Sequence, residues 1–247
     1  MIRVFINGQH IINEHIELLP QETHHLKNVL RKKSGDFVIL CDGGTEYKCQ
    51  IVDIANNLKL KVKVIEKNEI CRELSSQIFL FQGLPKGEKF EIILQKSVEL
   101  GVSKIIPFIS ERCISKPRST DGSTKKLNRY NKIALAAAKQ SQRSIIPEVL
   151  SICTFEEAVR LSLELDLSII CYEREEKCLI SDVFCDRSTI SNKKIGIFIG
   201  PEGGFGESEI ELAVSNNVIS CSLGNRILRT ETVSLYVMSI LNYLLSD

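Results

Sequence analysis

A chain of 247 residues that is 43% hydrophobic and 26% charged has the make-up of one large or two smaller globular domains. No apolar run reaches the roughly 18 residues of a membrane span, and the start "MIRVFINGQH" reads as a strand rather than a signal peptide. Nine cysteines without a C-x-x-C pair argue against a disulfide framework or a zinc knuckle and for a reducing cytoplasm. The net charge of +1 hides an asymmetry, +7 over residues 74–150 against −7 over residues 151–247. That contrast fits a polyanion surface on part of the molecule, or lysines that merely solvate helices.

The first 70 residues are strand-rich. "RVFI", "FVILCDGG", "YKCQIVDI" and "KLKVKVIE" are short β-branched runs between Gly, Asp and Asn turns. In the last run Leu60, Val62 and Val64 alternate with lysines, the pattern of a half-buried antiparallel strand. A helix is expected over Thr23–Arg31, closing near Gly35. Several short strands with turns between them predict a small barrel, and Glu66–Ser76 reads as a linker. From Gln77 the rhythm changes. "QIFLFQGL", "KIIPFIS", "LSIICYE", "KIGIFIG" and "VISCSLG" are buried-strand candidates. Helical patterns lie between them, around Phe90–Val98, over 125–142 and in "FEEAVRLSLEL". That alternation predicts a parallel α/β sheet, with its ligand beyond the carboxyl ends of the strands. Ile114–Lys126, rich in Pro, Ser, Thr and Gly, is expected to be a mobile surface loop.

Two stretches carry the chemistry. "IGIFIGPEGGFGESE" places Gly200, Gly203, Gly204 and Gly206 between a strand and a helix. Glycine lets backbone come close to a ligand, and Glu202, Glu207 and Glu209 make phosphate an unfavourable occupant, so an uncharged or cationic ligand is expected; a merely tight turn is the alternative. In "SLGNRILRTETV" two arginines follow a strand end and precede an apolar helix. A helix N-terminus prefers acids, so packing explains them poorly. His24 and His25, with Lys27, Arg31, Lys32 and Lys33, form either a basic face or a structural pair with solvated neighbours. Lys139–Arg143, "KQSQR", reads equally as phosphate contact or as compensation of a helix dipole. No metal-binding cluster, Ser–His–Asp pattern or aromatic stacking signature is present.

"IGPEGGF" followed by "LGNRILRTET" resembles the paired signatures of the SPOUT methyltransferases. More narrowly the chain is similar to the bacterial small-subunit ribosomal RNA uridine-N3 methyltransferases, with "HHLKNVLR", "PKGEKFEIILQKSVELGV" and "SERC" as supporting matches. The resemblance implies an N-terminal PUA-like β-barrel that binds RNA, residues 1–70. It implies a C-terminal α/β domain with a trefoil-knotted parallel sheet, residues 74–247. It implies S-adenosylmethionine held by Cys171, Tyr172, Ile199, Gly200, Pro201, Glu202, Gly203, Leu223, Gly224, Ile227 and Leu228. Arg226 and Arg229 would stabilise charge on the uracil, with Glu231 or Glu202 as a base if one is needed. His25, Arg31, Lys32, Lys33, Arg112 and Arg143 would contact RNA. The implied partners are 16S ribosomal RNA in the small subunit and a second copy of the chain; no metal or membrane is implied. Rival readings are a SPOUT enzyme acting on another base or a ribose 2′-hydroxyl, and a non-catalytic assembly factor. Two departures from the family pattern stand out: Gly206, where Ser or Thr is usual, and Lys139, where Glu is usual.

Overall fold

The β-branched runs of the N-terminal region pair into a five-stranded sheet in a computed structural model that describes residues 2–6, 14–56, 59–69, 72–113 and 120–246. Its strands are β1 (Arg3–Phe5), β2 (His15–Leu18), β3 (Phe37–Asp42), β4 (Thr45–Asn56) and β5 (Lys59–Glu69), in the order β1-β3-β4-β5-β2. Val4, Leu18, Val38, Leu40, Ile51 and Val62 all bury into one core, so every strand faces it with alternate residues. The alternation expected of β5 holds: Leu60 and Val62 are inside and Lys61 and Lys63 outside. Contacts group Met1–Glu73 with Ala138–Ile146 as one unit, and Leu74–Ala137 with Pro147–Asp247 as the other.

Three local expectations for this first unit change. β2 is a strand of four residues with only Ile16 and Leu18 buried, too short a pattern to stand out in the sequence. β5 runs on through Glu69, so the first part of the supposed linker is still sheet. Its outer residues are polar and face polar partners, as Glu66 faces Lys48, which hydropathy alone reads as loop. The helix starts earlier and ends sooner than expected. Helix α1 (Pro20–His24) has proline in its first turn, where the missing N–H costs nothing. A π-helical turn, His25–Val29, follows. Arg31, not Gly35, takes the left-handed conformation that ends it, at φ +50°. A buried ion pair closes the unit: Arg3 and Arg72 both reach Glu46. Burial alone would raise the Glu46 carboxyl, but the two guanidinium groups hold it below the usual carboxylate range.

The second unit is the α/β sheet that the alternation predicts. Strands β6 (Gln77–Gly83), β7 (Lys104–Ile109), β8 (Glu148–Val149), β9 (Cys153–Thr154), β10 (Leu167–Cys171), β11 (Lys194–Ile199) and β12 (Ile219–Cys221) pair in parallel throughout. Their order is β12-β10-β11-β6-β7-β8, with β9 against β7. The helices are α2 (Lys89–Glu99), α3 (Thr120–Gln140), α4 (Phe155–Ser162), α5 (Ile180–Val183), α6 (Arg187–Ile190), α7 (Glu207–Ser215) and α8 (Thr230–Leu245). Residues 114–119 of the expected mobile loop lie outside the described residues, and from Thr120 that stretch is already α3. Helix α4 opens on a reciprocal cap between Thr154 and Glu157. Phe81, Phe108, Phe155, Phe198 and Phe205 fill one core, with the Phe81 and Phe198 rings stacked at 4.2 Å. Phe205 lies inside the glycine stretch and is buried, so it anchors that loop to the sheet. Among the described residues no helix is long and apolar enough to cross a membrane.

Candidate active site

Strands β10, β11 and β12 run parallel side by side, so the segments leaving their carboxyl ends emerge on one edge of the sheet. Those segments are Tyr172–Leu179, Gly200–Gly206 and Ser222–Arg229. With Lys89, Thr230 and Val233 they enclose a cavity of about 730 Å³, a usual size for a small-molecule site. All of the residues expected at the cofactor line it: Cys171 at the end of β10 and Tyr172 on the first segment, Ile199 at the end of β11 with Gly200, Pro201, Glu202 and Gly203 on the second, and Leu223, Gly224, Ile227 and Leu228 on the third. Arg226 and Arg229 line it too.

The chain's own atoms come close to two of these glycines and to a third at the end of β6. A Cβ on Gly200 would meet the backbone of Gly204 at 3.1 Å and the Phe205 ring at 3.2 Å. One on Gly203 would meet the Cβ of Arg112 at 3.0 Å, on the side of that residue rather than in open cavity. Gly83, at the end of β6, would put a Cβ 2.8 Å from the backbone nitrogen of Pro201. Nothing in the sequence marks Gly83, because its neighbour lies 118 positions away. At the Gly206 departure the helix start is capped without a side chain at that position. A side chain there would need only the exposed carboxylate of Glu111 to move aside. Capping is supplied from the other direction: buried Glu209 accepts from the Gly206 N–H at 2.9 Å, the Ser110 hydroxyl at 2.9 Å and the Glu111 N–H at 3.0 Å.

A buried polar knot holds the cavity wall in place. Gln82 of β6 donates to the Thr230 hydroxyl at 3.0 Å, and Thr230 donates to the Gly200 carbonyl at 2.6 Å. Ser234 donates to the Gln82 side-chain oxygen at 2.7 Å. One strand, the glycine loop and the first turn of α8 are thereby tied at a single point. Sequence reading passed over all three residues. The one available signal was a glutamine inside the apolar run "FLFQGL", since a polar group in a buried strand needs a partner.

Charge around the cavity is mixed. Glu173, Glu175, Glu176 and Glu202 face Lys89, Arg226 and Arg229. Glu202 accepts from Lys89 Nζ at 2.7 Å and from the Lys86 N–H at 3.2 Å. Burial would raise its carboxyl, but the hydrogen bonds from Lys89 and from backbone N–H groups keep it below the ordinary range. Lys89 also lies 3.9 Å from Glu231, whose Oε2 is buried without a hydrogen-bond partner. Glu231 borders the cavity through Lys89 and does not itself line it. The side chains of Arg226 and Arg229 are exposed and make no ion pair or hydrogen bond among the described residues. Cys171 sits in register with Cys221. The hydrogen bond to Cys221 and burial push its thiol up.

The expected RNA contacts divide. Arg31 and Lys33 are exposed, His25 and Lys32 are half-buried, and Lys32 lies 3.8 Å from Asp36. Arg143 does not belong with them. It is 3% exposed and its guanidinium is bound to Glu73, which also accepts from the Ser144 N–H. "KQSQR" is therefore structural at its arginine, and the phosphate reading fails there. Arg112 is exposed, but its guanidinium is hydrogen-bonded to the Gly203 carbonyl at 3.1 Å and braces the glycine loop. Among the described residues no group of three potential metal ligands comes together.

A parallel sheet with a cavity at its strand ends, carried with a PUA-like domain, is the organisation of the SPOUT RNA methyltransferases. The chain belongs to that RNA methyltransferase family: the model of an RNA methyltransferase domain matches residues 72–242, and that of an RNA methyltransferase PUA domain matches residues 18–65. It is 36% identical to the ribosomal RNA small subunit methyltransferase E of Bacillus subtilis, over 90% of this chain and 88% of that protein. Among solved structures it resembles a putative methyltransferase of Legionella pneumophila in complex with the cofactor S-adenosylmethionine. That match has 31% identity and a TM-score of 0.85, over 100% of this chain and 98% of that one. It also resembles a ribosomal RNA small subunit methyltransferase E of Neisseria gonorrhoeae bound to S-adenosylmethionine, at 29% identity and a TM-score of 0.85, over 100% and 99%.

Proposed function

We propose that this protein transfers a methyl group from S-adenosylmethionine to N3 of one uridine of 16S ribosomal RNA, a 1498-type site, in the small ribosomal subunit. The observation that carries this reading is the pair of unpaired arginines on the wall of an acid-lined cavity built from three strand-end segments. The residues fit the cofactor. The carboxylates suit its positive sulfur and ammonium, and the main chain of Asn225–Leu228 makes no hydrogen bond among the described residues, which leaves it free for an adenine edge. When bound, S-adenosylmethionine supplies a methyl group on a positive sulfur that keeps the bonding pair as a thioether. Arg226 and Arg229 meet the negative charge that spreads onto the uracil carbonyl oxygens as N3 loses its proton. Glu202 and Glu231 are the two candidates to take that proton: Glu202 lines the cavity but both its oxygens already accept hydrogen bonds, while Glu231 Oε2 accepts none but is buried behind Lys89.

The test is transfer of labelled methyl to small subunits from cells lacking the protein, followed by identification of the nucleoside. Methyl on a ribose oxygen or another base atom refutes the reaction and keeps the class. A thermal measurement separates an enzyme from an assembly factor. Cofactor at about 100 times its Kd adds roughly 2.7 kcal/mol, and at about 2–4 °C per kcal/mol for a chain of this size the melting midpoint rises by about 5–10 °C. No shift at saturation favours the non-catalytic factor.

The RNA platform in this reading is the N-terminal domain, residues 1–70, with residues 74–247 catalytic. Replacing Arg31, Lys32 and Lys33 together by alanine is expected to weaken RNA binding and to flatten its salt dependence. Three lost phosphate contacts lower the slope of log K against log salt by roughly 2 for a single strand. An unchanged slope assigns the RNA to another surface.

The protein acts as a homodimer in this reading. Helix α8 buries Val237, Met238, Leu241 and Leu245 within its own domain. That leaves Tyr236 exposed, Tyr243 83% exposed, and Val233, Leu235, Ile240 and Leu244 only partly covered. A twofold contact would remove these from water, and it is the commonest solution for soluble oligomers. Sedimentation across micromolar to nanomolar concentration should show twice the mass of 27.8 kDa. An active species of single mass throughout that range overturns the dimer.

A further inference from the structure

The positive charge of residues 74–150 is concentrated on helix α3, which carries five Lys/Arg and one acid, Asp121, near its start. Lys125, Arg129 and Lys132 stand at i, i+4 and i+7, so they share one face of the helix, and all three are exposed, as is Lys126 beside them. Tyr130, Ala134 and Ala137 take the opposite face and are buried. A helix whose charges only keep it in water mixes both signs along that face, and from Lys125 onward α3 has no acid. Arg129 is an anchor. It reaches Glu91 of α2 at 2.7 Å, and the adjacent Tyr130 ring packs on Phe90 with 4.6 Å between centroids. These contacts lay the middle of α3 on the first turn of α2, where Lys89 lines the cavity. Lys125, Lys126 and Lys132 form no ion pair or hydrogen bond among the described residues. Two of them, Lys125 and Lys132, stand about 10 Å apart along the axis, on either side of the anchored arginine.

Unpaired cations in a row, with no acid among them, suit a partner that repeats negative charge, and a phosphodiester strand is such a partner. A protein partner suits them less. Protein interfaces are depleted in lysine and need an apolar centre, and between Lys125 and Ala136 the outward face offers no apolar side chain larger than alanine. The cavity itself narrows the choice of path. Glu173, Glu175 and Glu176 line its first segment and repel a phosphate backbone there, whereas α3 is braced on α2 beside Lys89. We propose that the outward face of α3 is a second RNA contact, in the catalytic domain: Lys125, Lys126 and Lys132 hold phosphates of the strand that flanks the target nucleotide while its base occupies the cavity. The inference rests on the reading that an RNA nucleotide is methylated there.

The test measures binding of a labelled single-stranded RNA to the full-length protein at several salt concentrations. Lys125→Ala and Lys132→Ala, made together, should lower the slope of log K against log salt by roughly 1.4, the share of two phosphate contacts on a single strand. Alanine is the best helix former and both sites are exposed, so the melting midpoint and the cofactor Kd should stay as in wild type. A matched control removes the same charge elsewhere: Lys193→Ala with Lys194→Ala, at the amino end of β11 and away from the cavity, should leave the slope unchanged. With small subunits as substrate, the α3 pair should raise KM and leave kcat as it is, the mark of binding lost equally from ground and transition states. A slope equal to wild type, an equal fall in the control, or a lower kcat at unchanged KM would each overturn the proposal. So would a change of mass in sedimentation, which would assign the face to a contact between copies. Methylation at an atom other than N3 would refute the proposed reaction, yet the salt slope would still decide the role of α3.

Discussion

Arg229→Ala and Arg226→Ala should each lower turnover by about 10²–10³-fold, the loss measured when one donor to a developing oxyanion is removed. Neither guanidinium is engaged by another residue of the described chain, so removal leaves no buried partner stranded and the fold should survive. Cofactor affinity should change little, because uracil carries its negative charge only as N3–H is lost. The signature is thus a fall in kcat and kcat/KM together, which marks an interaction made in the transition state. Single-turnover methylation with cofactor binding measured in parallel reads it directly. A cofactor Kd weakened by the same factor as the rate would instead make the arginines part of the cofactor pocket.

Thr230→Val should be the most damaging change of one atom in the cavity wall. It keeps the shape of the side chain but removes the hydroxyl that accepts from Gln82 and donates to the Gly200 carbonyl. Two buried groups then lose a partner at about 1–3 kcal/mol each. A total of about 2–6 kcal/mol corresponds to a fall in melting midpoint of roughly 4–24 °C. The loop it releases is one wall of the cavity, so cofactor affinity should fall with stability. Thr230→Ser keeps the hydroxyl and should recover most of both. Calorimetric melting with and without cofactor decides it, and a Val variant as stable as wild type would show that the Gln82–Thr230–Gly200 chain carries no weight.

The linear chain by itself determined the architecture and the location of the chemistry. Near-continuous apolar strands separated by helical periodicity can only be covered on both faces, and that makes a parallel sheet with its site at the carboxyl ends. The cavity-lining segments and both arginines were legible because each sits next to a strand end in sequence as well as in space. β2, the polar end of β5 and the early end of the first helix were not, since four residues, exposed pairs and a left-handed arginine leave no hydropathy signal. Tertiary structure alone decided what comes close to the glycines and which cations are free. Gly83 is crowded by the backbone of Pro201, 118 positions on, and Gly200 by the turn of its own loop at Gly204. Arg143 looked like a phosphate ligand until Glu73, 70 positions earlier, was seen to hold it. The link from Gln82 to Thr230 spans 148 positions. Such contacts follow from how strands and loops stack after the chain has folded, and a periodicity read over a dozen residues has no term for a partner so far away.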